Sequence, residues 1–392
     1  MGKRIYVDNS ATSFPKPPAV SKAMADFASQ CGASAGRGAY AEAKRCERII
    51  ATCRSRMAEL INAEGPDRIV FTMNCSEGLT IALRGLLNTA GPVHAIATAM
   101  EHNSVLRPLN ALKVQTGLQP EFVPCDADTG LVSPADIEAT IRPETKLIAC
   151  VHVSNVTGTI QPVEQVVHIA RRHGIAVLID SAQAGGHLAI DVQALGADFV
   201  AFAGHKGLLG PLGTGVLYIR PGMEERLATM KEGGTGTVSE RPVQPETMPD
   251  KYEIGSHNAI GLAGLSEGLA WLLEQDFADM RAREMALCEQ FSQATADVPG
   301  LTVYGPKDIS RRTGVFSVNV ESLSPVDLAD TLESHFGLCT RPGLHCAPLA
   351  HRTIGTFPNG TCRLSFGHFT TSDDVFHAAG ALAKVADRAA VN

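Results

Sequence analysis

Apolar residues along this chain fall into two alternating textures. Six short runs, Arg68–Thr72, His94–Thr98, Leu147–His152, Ala176–Asp180, Phe199–Phe202 and Gly215–Ile219, are rich in Val, Ile, Ala and Phe and predict strands. They are continuously apolar rather than alternating, so the sheet they form is expected to be buried on both faces. Between them, Tyr40–Asn62, Ser76–Leu87, Val105–Gln115 and Val163–His173 carry helical spacing. Strand–helix alternation of this kind predicts an open, mostly parallel α/β sheet. At Thr235–Pro249 the texture changes to Gly, Thr, Pro and Glu, as expected of a long functional loop, and helices over Ala259–Gln275 and Phe277–Ala296 follow. Strands near Leu301–Tyr304 and Gly314–Val320 then open a smaller α+β unit. The expected division is residues 1–15 packing with the small unit, a large domain over 16–260 and a small domain over 261–392. There is no internal repeat or low-complexity tract.

Composition narrows the function classes. At roughly 150 residues per domain, 392 residues allow two or three domains with cores that need no disulfide or metal staple. Hydrophobic residues at 44% and charged residues at 19% are an ordinary globular balance, and a net charge of −7 gives no footing on nucleic acid or anionic lipid. The start, Met1-Gly-Lys-Arg-Ile-Tyr-Val-Asp8, carries no signal-like apolar stretch, and Tyr6 breaks the myristoylation pattern. The apolar window Ile260–Leu273 is too short to span a bilayer. Ten cysteines without a C-x-x-C argue against zinc, an iron–sulfur cluster or a disulfide framework. The expectation is a cytoplasmic protein with no membrane or nucleic-acid partner and no metal.

Candidate chemistry sits at strand ends, where open α/β sheets bind ligands. Asp180 closes the most hydrophobic run, and Lys206 follows the next in Phe202-Ala-Gly-His-Lys206, ahead of a Gly-rich run through Gly215. Thr72-Met-Asn-Cys-Ser-Glu77 leads a strand into a helix start, whose free N–H groups suit a phosphate. Singly, each has a plain structural explanation as a turn residue, a surface lysine or an N-cap. Together, a lysine for a Schiff base, an acid for a pyridine nitrogen and an anion site suit pyridoxal 5'-phosphate.

These residues resemble the class V aminotransferase family of fold-type I pyridoxal-phosphate enzymes. Asp180-Ser-Ala-Gln183 and Gly204-His-Lys206 carry the resemblance, supported by Tyr6–Pro15, Arg37-Gly38, Glu101-His-Asn103, Val153–Gly158 and Glu253–Asn258. The resemblance implies a seven-stranded, mostly parallel sheet in a large cofactor-binding domain. It also implies that Lys206 holds the cofactor, Asp180 pairs with its ring nitrogen and His102 stacks on the ring. Gln183 and Asn155 would contact the ring oxygen, and Cys75, Ser76 and His205 would hold the phosphate. Ser256 would reach a phosphate from the neighbouring subunit of a homodimer. The chain departs from the family pattern at Ala203, where Ser is frequent, and at Ser76 and Ser256, where Thr is usual. A metal site built from His102, His152 and His205 lacks supporting carboxylate or Cys spacing.

The family covers several chemistries, so fold alone does not settle function. Thr340-Arg-Pro-Gly-Leu-His-Cys-Ala347 resembles the R-x-G-x-H-C-A segment of type II cysteine desulfurases, with Leu344 where a second His is common. An unperturbed thiol titrates near about 8.5. Arg341 and His345 are expected to lower that value if they face Cys346. Arg363, in Cys362-Arg-Leu-Ser-Phe366, matches the family's substrate-carboxylate arginine, since a guanidinium forks onto a carboxylate. The implied reaction converts L-cysteine to L-alanine and leaves sulfur on Cys346 as a persulfide, open to a sulfur-acceptor protein. The alternatives are a selenocysteine lyase acting on L-selenocysteine, a C–S lyase or aminotransferase that would not need the cysteine segment, and a non-catalytic sulfur-relay scaffold.

Overall fold

Alternate residues of the apolar strands serve two different cores, and this sets the architecture. In the computed structural model, which describes residues 4–36, 38–89 and 92–390, Ile148, Cys150, Val177 and Ile179 join one buried cluster. Leu147, Ala149, Ala176 and Leu178 join another on the opposite side. A sheet buried on both faces needs helices on both faces.

In chain order, β1 (Ile5–Tyr6), α1 (Pro18–Asp26) and α2 (Ala41–Leu60) precede β2 (Ile69–Thr72) and α3 (Cys75–Leu87). Next come β3 (His94–Thr98), α4 (Asn103–Thr116), β4 (Gln119–Val123), α5 (Pro134–Ala139), β5 (Thr145–Val151), α6 (Val163–Arg172) and β6 (Ala176–Asp180). The large layer closes with α7 (Val192–Leu195), β7 (Phe199–Ala203), β8 (Gly215–Ile219) and α8 (Ala259–Leu273). The smaller layer comprises α9 (Phe277–Thr295), β9 (Leu301–Tyr304), β10 (Val315–Val320), α10 (Pro325–Phe336), β11 (Leu338–Cys339), β12 (Arg341–Gly343), α11 (Pro348–Thr353), β13 (Thr361–Ser365) and α12 (Ser372–Ala389).

The seven-stranded sheet runs β2-β8-β7-β6-β5-β3-β4. All its pairings are parallel except those of β8, which runs against β2 and β7. The carboxyl ends of β2, β3, β5, β6 and β7 therefore share one edge. All six predicted strands are present, whereas β4 carries Pro120 and Glu121 and pairs only with β3, a composition that suits an edge.

A four-stranded antiparallel sheet, β12-β13-β10-β9, builds the smaller layer around Phe291, Phe316 and Phe366. Chain-terminal β1 pairs in parallel with β11, so Ile5 and Val7 enter this core. One expectation is corrected. Helix α8 does not open the small unit: Leu262, Leu265, Leu269 and Leu272 pack in the same core as Ile50 and Met57 of α2. The boundary expected at 260/261 therefore moves to the connection at 274–276. Arg37 of the Arg37-Gly38 landmark lies outside the described residues. No helix among the described residues is long and apolar enough to cross a membrane.

The segment ahead of α8 is held by a buried ion pair. Both carboxylate oxygens of Glu253 accept from Arg54, at 2.6 and 2.8 Å, and Oε1 also accepts from the Phe71 amide at 2.6 Å. The Arg54 guanidinium lies 4.5 Å from the centre of the Phe71 ring. Removing one partner from such a pair leaves the other charge buried and uncompensated. Glu253→Gln is expected to cost about 3 kcal/mol in urea unfolding; a loss under about 1 kcal/mol would place the pair among the weak surface bridges.

Candidate active site

A cavity of about 210 Å³ opens at the shared carboxyl edge. Its walls come from five segments that are distant in sequence, each at the exit of a strand. Asn74, Cys75 and Ser76 follow β2, His102 and Ser104 follow β3, and Asn155 follows β5. Asp180 and Gln183 come from the end of β6, and Ala203, His205 and Lys206 from the end of β7. The fold thus brings together every expected cofactor residue except Ser256, which is exposed in a separate cleft with Met73, Gly213 and Asn258.

The charges on the cavity floor are set by burial. Asp180 is 4% exposed, and its Oδ1 accepts from the Ala182 amide at 2.9 Å and from the Cys75 thiol at 3.5 Å. No described residue hydrogen-bonds Oδ2. Burial pushes the Asp180 carboxyl up, while the Ala182 amide and the nearby Lys206 pull it back down. Burial pulls the Lys206 ammonium below its ordinary range, against the attraction of Asp180, and Arg363 and Arg341 add to the lowering. The lysine is thereby biased toward the neutral amine that carbonyl chemistry requires.

His102 begins α4 as its cap. Its Nδ1 accepts from the Ser104 amide at 3.1 Å and meets Ser104 Oγ at 2.8 Å, which leaves the ring proton on Nε2. Burial and the positive charge of Lys206 lower His102 to about 4, so the ring is neutral. Ser104 Oγ also meets Ser76 Oγ at 2.6 Å, joining the starts of α3 and α4. Sequence reasoning missed Ser104; its position two residues beyond a capping His was the available signal.

The empty-handed polar atoms of the cavity fit pyridoxal phosphate. The Cys75 and Ser76 amides at the start of α3 have no acceptor among the described residues, as expected of a phosphate-binding helix end. The buried His205 Nδ1 and Asn155 Oδ1 likewise have no partner. The thiol of Cys75 points to Asp180 instead of the phosphate region, so any phosphate contact from that residue comes through its amide. Gln183 lines the cavity but gives its amide to the Ser10 carbonyl at 2.9 Å.

Two cross-strand arginines stand beside the cavity. Arg341 of β12 and Arg363 of β13 are directly paired in register. Arg363 is 1% exposed, bonds Asp8 Oδ1 at 2.9 Å and the Asn155 carbonyl at 3.1 Å, and leaves Nε unpartnered. Arg341 has no partner among the described residues. Two neighbouring guanidiniums, only one of them paired to a carboxylate, leave a net positive charge, suited to a substrate carboxylate. Asp8, a charge following an apolar run as Asp180 does, was passed over in the sequence.

The Cys346 loop is tied to this cavity at two points. The Asn103 amide donates to the Cys346 carbonyl and the Asn155 side chain to the His345 carbonyl, each at 2.7 Å. His345 and Cys346 both have left-handed backbones, φ 47° and 58°, an uncommon pairing for non-glycine residues. Of ten cysteines, all free, only Cys346 is exposed among the described residues. The expectation that His345 adds positive charge beside the thiol fails. The imidazole is buried, bonds Thr361 Oγ1 at 3.1 Å, and burial with nearby Arg363 holds it neutral, far below its ordinary value.

Comparison with known proteins fits this geometry. The model of the class-V aminotransferase family matches residues 5–377, and the chain belongs to that family. A probable cysteine desulfurase of Methanothermobacter thermautotrophicus is 35% identical, covering 95% of this chain and 92% of that one. The apo structure of a cysteine desulfurase from Thermococcus onnurineus NA1 superimposes with a TM-score of 0.92 at 32% identity, over 98% of this chain and 95% of that one. The S-sulfonic acid form of the cysteine desulfurase CsdA from Escherichia coli gives 0.88 at 29% identity, over 99% and 94%.

Glu101, beside His102, is fully buried, with Oε1 accepting from Thr98 Oγ1 at 2.6 Å and the Val151 amide at 2.8 Å and Oε2 unpartnered. Burial pushes its carboxyl from 4.5 to about 8. The folded state holds this proton more tightly than the unfolded chain, so the contribution is complete below 4.5 and is lost as pH rises toward 8. Urea unfolding across this range should show the parent losing stability relative to Glu101→Gln, which keeps the Oε1 acceptor. Parallel pH profiles for the two proteins would refute the buried, protonated carboxyl.

Proposed function

We propose that this chain is a pyridoxal-phosphate-dependent cysteine desulfurase, converting L-cysteine to L-alanine with transfer of sulfur to Cys346. The observation that carries the reading is the exposed Cys346, tied by Asn103 and Asn155 to the cavity that holds Lys206, Asp180 and His102. Neither an aminotransferase nor a simple C–S lyase would need a thiol fixed there.

In this reading Lys206 would anchor the cofactor and Asp180 would accept from its ring nitrogen. His102 would lie against the ring, and the start of α3 with Ser76 and His205 would hold the phosphate. When bound, the cofactor supplies an electron sink for the substrate's Cα. Arg363, with Arg341 and Asn155, holds the substrate carboxylate and so fixes which Cα bond faces Lys206. The Lys206 amine would take the Cα proton as general base, and that proton and the one given up by the Cys346 thiol end on Cα and Cβ of alanine. The Cys346 sulfur attacks the substrate sulfur: one S–S bond forms, one C–S bond breaks, and the carbon retains the electron pair. Cysteine and the enzyme thiol thus give alanine and an enzyme persulfide, with no external oxidant or reductant.

The same reading places the protein in the cytoplasm, where ten free cysteines suit a reducing compartment. It makes the active unit a homodimer. Ser256 is exposed in a cleft that includes Met73, one residue from the cavity-lining Asn74. Leu212 and Ile260 are exposed beside the Gly213 and Asn258 of that cleft, a surface suited to a second copy whose Ser256 reaches this phosphate site. A sulfur-acceptor protein would then meet Cys346.

Incubation with cysteine should yield alanine and, by mass spectrometry, additional sulfur on Cys346. Cys346→Ser should keep the cofactor's visible absorbance and lose desulfuration; alanine formed at the parent's rate would remove Cys346 from the mechanism. Lys206→Ala should lose the absorbance band of the covalently held cofactor, and a variant that retains it has its anchor elsewhere.

A further inference from the structure

The peptide carbonyl immediately before Lys206 is unusually crowded with donors. The His205 carbonyl oxygen accepts from the Ser13 amide at 3.0 Å, Thr12 Oγ1 at 3.0 Å, Ser13 Oγ at 3.2 Å and Lys16 Nζ at 3.2 Å. A carbonyl has two lone pairs, so four donors, one of them charged, amount to a clamp. Lys16 Nζ also donates to Ser13 Oγ at 2.7 Å, which orients the serine proton toward the same carbonyl. Among the described residues no carboxylate pairs with Lys16. Burial pulls its ammonium down to about 8, as befits a charge held by neutral oxygens away from water.

The clamp belongs to a segment that touches the site in three places. Asp8 holds Arg363, the Ser10 carbonyl receives Gln183, and Thr12, Ser13 and Lys16 hold His205. It is also fixed to the smaller layer, where the Ser10 amide donates to Ser365 Oγ at 2.8 Å and Asn9 Nδ2 donates to the Ser365 carbonyl at 3.0 Å.

We propose that Lys16 is a positioning residue for Lys206: with Thr12 and Ser13 it locks the His205 carbonyl and so fixes the peptide from which the Lys206 side chain departs. The proposal rests on the reading of Lys206 as the cofactor lysine. A four-carbon side chain samples many rotamers, and fixing its first backbone plane narrows the region its amine visits. Because one segment holds both this peptide and Arg363, it sets the spacing between the substrate carboxylate and the amine that moves the Cα proton. Positional errors of this kind act on the chemical step more than on substrate capture.

The test uses purified holoenzyme of the parent, Lys16→Met and Lys16→Arg, with pH titration of the cofactor's visible absorbance, kcat and KM for cysteine, and thermal midpoints. Lys16→Met should keep the band but shift its titration midpoint, and should lower kcat about tenfold with KM changed less than about twofold. Lys16→Arg, which retains a cation, should recover most of kcat. If Lys16→Met fails to fold, Thr12→Val removes one donor and should move the midpoint and kcat in the same directions by less. A midpoint and kcat matching the parent would overturn the proposal. So would equal losses in the Met and Arg variants that follow a lowered thermal midpoint, the mark of a purely structural clamp. A band absent from the parent sinks the Lys206 reading and this inference with it; a band present in the parent and unmoved in the variants sinks the inference alone.

Discussion

The site depends on a desolvated acid and a desolvated amine being held at the ends of adjacent parallel strands. Asp180 closes β6 and Lys206 follows β7, so sheet register fixes their spacing. Each would be costly in that place alone, because burial disfavours both charged forms. Together they partly compensate, and what remains is a lysine biased toward its neutral form beside an acid with one oxygen uncommitted. A protonated pyridine nitrogen would complete the balance by giving Asp180 a positive partner. The same edge gathers the starts of α3 and α4, and the shared hydroxyl contact of Ser76 and Ser104 joins these two helix starts at the cavity.

The smaller layer contributes charge and sulfur but no cavity floor. Its β12–β13 pairing sets Arg341 against Arg363, with Asp8 as the single carboxylate bonded to Arg363. Cross-strand like charges are unfavourable in an isolated sheet, so an anionic substrate relieves a repulsion that folding built in. The next turn carries two left-handed residues, a conformation costing on the order of 1–3 kcal/mol at each. That cost is offset by the tethers from Asn103 and Asn155 and by the buried His345–Thr361 contact. The strain lifts Cys346 out of the core that claims six of the other nine cysteines.

Much of this was legible in the sequence because short, β-branched-rich apolar runs bounded by turn residues favour strands buried on both faces, and a charge at the end of such a run needs a purpose. That logic found Asp180 and Lys206, but it passed over Asp8, whose run is short and whose strand pairs only with β11. β4 escaped because an edge strand with Pro120 and Glu121 carries little hydrophobic signal. The boundary near 260 was misplaced because a loop of changed composition looks like a linker, whereas α8 is apolar around its circumference and must be buried in the large core. His345 shows the other limit: residue type suggests a cation, and only burial shows that it is not one.

Asn155 shows how few residues join these parts. Its side-chain nitrogen holds the His345 carbonyl, its own carbonyl receives Arg363, and its side-chain oxygen is left buried and unpartnered at the cavity. A buried amide oxygen without a donor costs free energy, so the cavity is incomplete until something bearing a hydroxyl or N–H enters. Filling it would fix the orientation of the amide, and with it the His345 carbonyl that anchors the Cys346 loop. The cavity, Arg363 and the Cys346 turn thus meet at one residue through direct hydrogen bonds.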